Sequence, residues 1–177
     1  PSCETLGVLF GCFRVGAAAY LPNLRGPDAL IAEHLARLDC TAVVGEKASC
    51  KHPGCIAPAD LLRKDGGEPA TGVDRDAPAT IVATSGSTAA PKLAVHSLGN
   101  HLANAQASNA NISVGPGDRW LLSLPLYHVA GLGVVFRCAS GGAAIALPRE
   151  NEPLQEALPR LGVTHVSLVS AQLRRLL

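Results

Sequence analysis

The sequence predicts an α/β fold, with strands and helices alternating around a mostly parallel sheet and one strand-loop-strand hairpin set into it. Two observations carry this expectation. Stretches with helical spacing of apolar residues are followed by short apolar runs of strand length, as in Pro27 to Leu38 and then Cys40 to Val44. The segment Thr84 to Lys92 lies between two runs of strand character rather than at the start of a helix.

Taken in order, residues 4–15 place Leu6, Leu9, Phe10 and Phe13 at helical spacing, and Gly16 suits the helix end. Ala17 to Leu21 is a buried strand stopped by Pro22. Pro27-Asp28 opens a second helix to about Leu38, with Leu30, Ile31, His34, Leu35 and Leu38 on one stripe, His34 being structural. A short strand follows at 40–44. From Gly45 to Pro78 the periodicity fails and Gly, Pro, Lys and Asp accumulate, so a flexible loop is expected, with one helical turn near Asp60 to Arg63. Ala79 to Ala83 and Leu93 to His96 are the strands flanking the 84–92 segment. Ser97 or Asn100 then caps a helix to Ala110. A turn at Val114 to Asp118, with Asp118 as a turn residue, leads to a strand at 119–124 in which Trp120 is core. A helix over 130–140, a strand over 143–147, a helix over 153–161 and a strand over 164–169 complete the pattern, and another helix begins at the end.

The segment Thr84-Ser85-Gly86-Ser87-Thr88-Ala89-Ala90-Pro91-Lys92 has the chemistry of a phosphate-holding loop. It offers four hydroxyls in five positions, a Gly free to take positive φ, and a terminal ammonium group. A Walker A loop is excluded, because Pro91 stands where that motif needs its second Gly and Leu93 where it needs a hydroxyl for magnesium. The competing reading is a Ser/Thr-rich surface hairpin. His128 follows a strand and precedes a helix, where α/β proteins place ligands, and the alternative is a buried histidine satisfied by backbone. Arg137 is the one charge in an apolar helix, so it wants an anion. It could equally meet a helix dipole or an internal carboxylate.

A net charge of +1 from 15 basic and 14 acidic residues gives no field for nucleic acid or an anionic membrane. Anion binding must be local. No apolar run reaches the roughly 18 residues of a membrane span. Six scattered Cys without a secretory signal imply reduced thiols and a cytoplasmic setting; Cys50 to Cys55 lacks the second ligand pair of a metal site, so no metal is expected there. The chain contains no Met and begins with Pro, which suggests a piece of something longer.

The run Thr84 to Lys92 between two strands resembles the signature loop of the adenylate-forming superfamily of acyl-CoA ligases, amino-acid adenylation domains and luciferases. Gly117-Asp118-Arg119-Trp120-Leu121-Leu122-Ser123-Leu124-Pro125-Leu126-Tyr127-His128-Val129 is similar to that family's next motif, and Gly16 to Asn23 to an earlier segment. The wider match, with His96 to His101 and Phe136-Arg137, resembles the branch that activates o-succinylbenzoate in menaquinone biosynthesis. The resemblance implies that residues 1–177 are part of a large N-terminal AMP-binding domain, and that Thr84, Ser85, Gly86, Ser87, Thr88 and Lys92 bind nucleotide. It places His128 beside the nascent acyl-adenylate as the catalytic-site histidine, with His128, Gly131 and Arg137 toward the acid substrate. Arg137 would meet the acid's second carboxylate. ATP, Mg2+, CoA and a small carboxylate are the implied partners, and self-association is left open. Two departures stand out: Ala89 replaces the usual Gly, and Ala130 the Ser of some relatives. No Gly-x-Thr-Glu, no Tyr-x-x-Gly-Asp and no lid domain with its lysine is found, so this piece alone should not catalyse. A general fatty or aryl acid ligase and a non-catalytic nucleotide-binding domain are the alternatives.

Overall fold

The computed structural model describes residues 2–45, 52–62, 72–84 and 91–176, and among these residues eight short strands and seven helices follow one another, in alternation except where β2 precedes β3 and β4 precedes β5. Helix α1 (Cys3–Arg14) is capped by the Ser2 hydroxyl accepting from the Thr5 N–H, and buries Leu9 and Phe13. Strand β1 (Ala19–Tyr20) and helix α2 (Asp28–Arg37) follow, the latter burying His34, whose Nδ1 lies 2.6 Å from the Tyr20 hydroxyl. His34 is structural, as expected. Strands β2 (Val43–Val44) and β3 (Cys55–Ile56) pair in parallel.

The expected loop over 45–78 is corrected in one part: it contains strand β3, while helix α3 (Pro58–Leu62) stands at the helical turn expected near Asp60 to Arg63. Its remaining parts at 46–51 and 63–71 lie outside the described residues. A two-residue strand is invisible to periodicity, because its existence depends on a distant partner.

Strand β4 (Pro78–Ala83) turns back through the 84–92 segment into β5 (Leu93–Ser97), and the two pair antiparallel, with Ala83 opposite Leu93. Strand β1 joins β4 on its other side in parallel, giving the order β1-β4-β5. Ser97 then caps α4 (Leu98–Asn111) through a reciprocal box: its hydroxyl accepts from Asn100 N–H, and Asn100 Oδ1 accepts from Ser97 N–H.

The second half contains β6 (Arg119–Leu121), α5 (Val129–Gly141), β7 (Ala144–Ala146), α6 (Leu154–Leu161), β8 (His165–Val166) and α7 (Ser170–Leu176). Strand β6 pairs in parallel with both β7 and β8, so the order is β7-β6-β8. Successive crossovers pass to opposite sides of β6, which sets α5 and α6 on opposite faces when each is right-handed. The packing agrees. Trp120 and Leu122 belong to the large core with Phe13, Leu132, Val135 and Phe136, whereas Leu121 joins Ala146 and Ala157 in a smaller one.

Parallel pairing dominates, as expected of a mostly parallel α/β fold, and among the described residues the strands fall into three small sheets. Strand partners are fixed by long-range packing, which local sequence does not record.

A buried polar link within the first half is stacked against the second. Thr80 on β4 is fully buried, and its hydroxyl lies 2.7 Å from His101 Nε2 on α4. The His101 ring stacks on Phe136 of α5 at 4.2 Å with planes 5° apart. Burial, with His96 nearby, lowers the His101 pKa from 6.5 to about 4. A lowered folded-state pKa means that His101 supports the fold fully above pH 6.5, and that this support is lost progressively as pH falls toward 4. Replacing His101 with Gln should therefore flatten the fall in Tm between pH 6.5 and 4 relative to the wild type, as read by thermal unfolding across that range.

Candidate functional site

The hairpin β4–β5 presents the ends of the 84–92 segment. Thr84 and Lys92 are both exposed, and the Thr84 N–H donates to the Lys92 carbonyl at 2.8 Å, closing the two stems across it. Thr84 and Lys92 are thereby brought together as neighbours. Ser85, Gly86, Ser87, Thr88 and Ala89 lie outside the described residues. The exclusion of a Walker A loop agrees with this geometry, since a β-strand follows Lys92 and not a helix.

His128 is placed by the turn that leaves β6. The backbone of Leu122 donates to Ala146, and the Ser123 hydroxyl donates to the Ser167 carbonyl at 2.6 Å, so the turn is tied to strands on both sides. After Pro125 the chain enters α5 with His128 as its N-cap in extended conformation, making no side-chain cap bond. The imidazole is exposed and leans on Tyr127, with ring centroids 4.6 Å apart. The alternative of a buried histidine satisfied by backbone is thereby overturned. The side chain stands beyond the carboxyl end of the central strand, beside the positive end of the α5 dipole.

Gly131 is buried for a steric reason. A Cβ there would run into the Pro125 carbonyl oxygen, approach the Pro125 carbonyl carbon to 2.7 Å and the Leu124 oxygen to 2.9 Å. The first turn of α5 can sit against the Leu124-Pro125 backbone only without a side chain. Since Gly131 N–H also donates to the His128 carbonyl at 3.0 Å, this contact fixes where His128 is held.

Arg137 lies nine positions after His128, about 13 Å along α5 at 1.5 Å per residue. The two residues sit toward opposite ends of one helix and do not form a single cluster. Arg137 Nε donates to Asn109 Oδ1 at 2.9 Å, and Nη2 donates to the carbonyls of Ser108 and Ile112 at 3.2 and 2.9 Å. Its guanidinium carbon lies 4.1 Å from the centroid of the Trp120 ring. Burial draws its pKa below the usual value. Trp120 is core, as expected, and Asp118 is a turn residue whose Oδ2 accepts from Gly115 N–H at 2.9 Å. Asn109 carried no signal in the sequence, because an Asn in an Ala- and Asn-rich helix looks like any solvent-facing residue.

No group of His, Cys, Asp or Glu with the geometry of a metal site occurs among the described residues.

Comparison with known proteins decides the family. The model of the AMP-binding enzyme family matches residues 1–177. The chain belongs to the AMP-binding enzyme family. It is 48% identical over 98 residues to the 2-succinylbenzoate–CoA ligase of Salmonella typhimurium, an alignment covering 55% of this chain and 21% of that protein. It is 30% identical over 175 residues to the ligase of the same name from Bacillus velezensis, covering 95% and 36%. The o-succinylbenzoate CoA synthetase of Bacillus subtilis, solved with its acyl-adenylate intermediate, superposes with a TM-score of 0.88 at 27% identity, over 99% of this chain and 49% of that one. The same synthetase solved with ATP and a magnesium ion gives 0.87 at 26%, over 99% and 50%. The chain thus spans half or less of these relatives, and its fold is that of the N-terminal domain of an adenylate-forming enzyme.

The steric role of Gly131 yields a direct test. Gly131→Ala should cost about 1–3 kcal/mol by overpacking, measured by urea unfolding, and should shift the Tyr127 and His128 resonances in NMR spectra. Unchanged stability and spectra would show that the turn tolerates a Cβ.

Proposed function

We propose that this chain is part of the N-terminal domain of an ATP-dependent acid–CoA ligase, and that its acid is o-succinylbenzoate. The observation that carries the reading is the antiparallel hairpin whose stems hold exposed Thr84 and Lys92 side by side. Lys92, the hydroxyls of Thr84, Ser85, Ser87 and Thr88, and the backbone of Gly86 together suit the triphosphate of ATP in its magnesium complex. Attack of a carboxylate on the α-phosphate expels pyrophosphate, and fixed positive charge beside that leaving group is the largest help a protein can give. The CoA thiol then gives up its proton and attacks the acyl carbon of the acyl-adenylate, so that a thioester forms as the acyl–phosphate bond breaks and AMP leaves.

His128 is the catalytic-site group in this reading. Exposed at the carboxyl end of β6 and beside the open N-terminus of α5, it borders the carboxylate as it is adenylated and shapes the pocket there. Gly131 keeps the backbone of that pocket wall close. Arg137 meets the second carboxylate of the acid. Its hydrogen bonds to Ser108 and Ile112 favour a second reading, in which it caps α4 and the enzyme takes fatty or aryl acids generally. The names of the relatives and the apolar surroundings of α5 support the first. No helix among the described residues is long and apolar enough to cross a membrane, and with scattered free thiols this supports a cytoplasmic enzyme.

The full-length protein should release pyrophosphate from ATP and magnesium in the presence of o-succinylbenzoate, and form the thioester when CoA is added. Lys92→Ala should lower kcat about a hundredfold or more, with Tm unchanged because the side chain is exposed. Absence of pyrophosphate release with every carboxylate tried would end the proposal.

A further inference from the structure

We infer that Asn109 is a specificity-positioning residue, which holds the Arg137 guanidinium ready for the second carboxylate of the acid; this rests on the proposed role of Arg137. The guanidinium is half-buried in an apolar helix, and among the described residues no carboxylate pairs with it. Its neighbours are neutral: one amide oxygen, two backbone carbonyls and an indole face. Dipoles and a π-face compensate part of the cost of burial and leave the net charge standing. Nε and Nη2 are occupied, whereas Nη1 has no acceptor among the described residues. An anion can therefore still bind through the two Nη1 N–H groups of the guanidinium fork, and a carboxylate oxygen is an acceptor that a guanidinium N–H suits.

Asn109 is set up to control that fork. Its Oδ1 accepts from Arg137 Nε at 2.9 Å while its Nδ2 donates to the Arg137 backbone carbonyl at 3.1 Å, so a single amide grips both ends of the same residue. A flexible arginine loses several rotors when it is fixed, and the grip meets that cost before substrate arrives. Trp120, on β6 beneath the guanidinium, fixes its plane. Direction and plane together leave the two Nη1 N–H groups to the ligand. The distal carboxylate is then read at the far end of α5 from His128, which selects an elongated diacid.

The experiment uses the full-length protein and three acids: o-succinylbenzoate and the two keto acids that each keep only one of its carboxylates. The readout is the ratio of kcat/KM for the diacid to that for the better monoacid, with Tm as a control. Asn109→Ala should lower the ratio about tenfold, through KM for the diacid and with KM for ATP unchanged. Asn109→Asp should lower it further while keeping Tm, because its carboxylate occupies the cation that the substrate needs. A residue that merely supported the fold would show the reverse order, with the ion pair in Asn109→Asp preserving activity. If Arg137→Ala leaves the ratio unchanged, the role of Arg137 itself fails. If Arg137→Ala lowers the ratio but both Asn109 variants leave it intact, or reduce all three acids equally, the assignment of Asn109 is overturned.

Discussion

The hydrogen bond between Thr80 and His101, roofed by Phe136, is the constraint on which the arrangement of the candidate site depends. All three groups are withdrawn from water, at 0, 5 and 2% exposure. Leaving either polar partner unmatched in that environment costs about 1–3 kcal/mol, well above the net gain of an ordinary surface bond. The bond joins β4, which reaches Thr84 four residues later, to α4, and the ring stack joins α4 to α5, which begins at His128. A shift of the hairpin relative to α5 would have to break a desolvated polar contact and a parallel stack at once. Because burial keeps His101 neutral, its ring binds Thr80 without bringing a second positive charge into the core at neutral pH.

Helix α5 presents two chemically different ends. At its start, Gly131 lets the backbone press against Leu124-Pro125, so the first turn is rigid, yet the cap residue offers no side-chain bond to the open N–H groups. Near its far end the chain turns through Gly142 with φ of 76°, and Arg137 is held by the last carbonyls of the neighbouring α4. Between the two ends the helix is apolar: Leu132, Val134, Val135 and Phe136 are buried. These side chains pack into the large core, so the helix is anchored along its middle and keeps its two polar ends apart.

What the sequence disclosed and what it withheld divide along physical lines. Features set by neighbours in the chain were legible. The cap at Ser97, the hairpin around 84–92, Trp120 as core and the order of helices and strands all follow from local spacing and side-chain chemistry. Features set by partners far along the chain were not. The division into three sheets, the strand at Cys55–Ile56 and the stack of His101 on Phe136 need contacts between segments 12 or more residues apart. Arg137 lies between the two cases. Its isolation in an apolar helix was plain, but both its helix-end contacts and its grip by Asn109 are products of tertiary packing.

The Arg137 environment also explains why arginine is needed there and lysine would not serve. Five N–H groups in a rigid plane allow one cation to cap two carbonyls, engage an amide and sit over an indole while the two N–H groups of Nη1 stay available. An ammonium group has three donors on a rotating tip and no plane to stack. It could satisfy the α4 carbonyls or meet an anion, but not both in one orientation. The contacts that make Arg137 look structural are therefore the ones that would orient it toward a ligand, and a role in packing does not compete with a role in recognition.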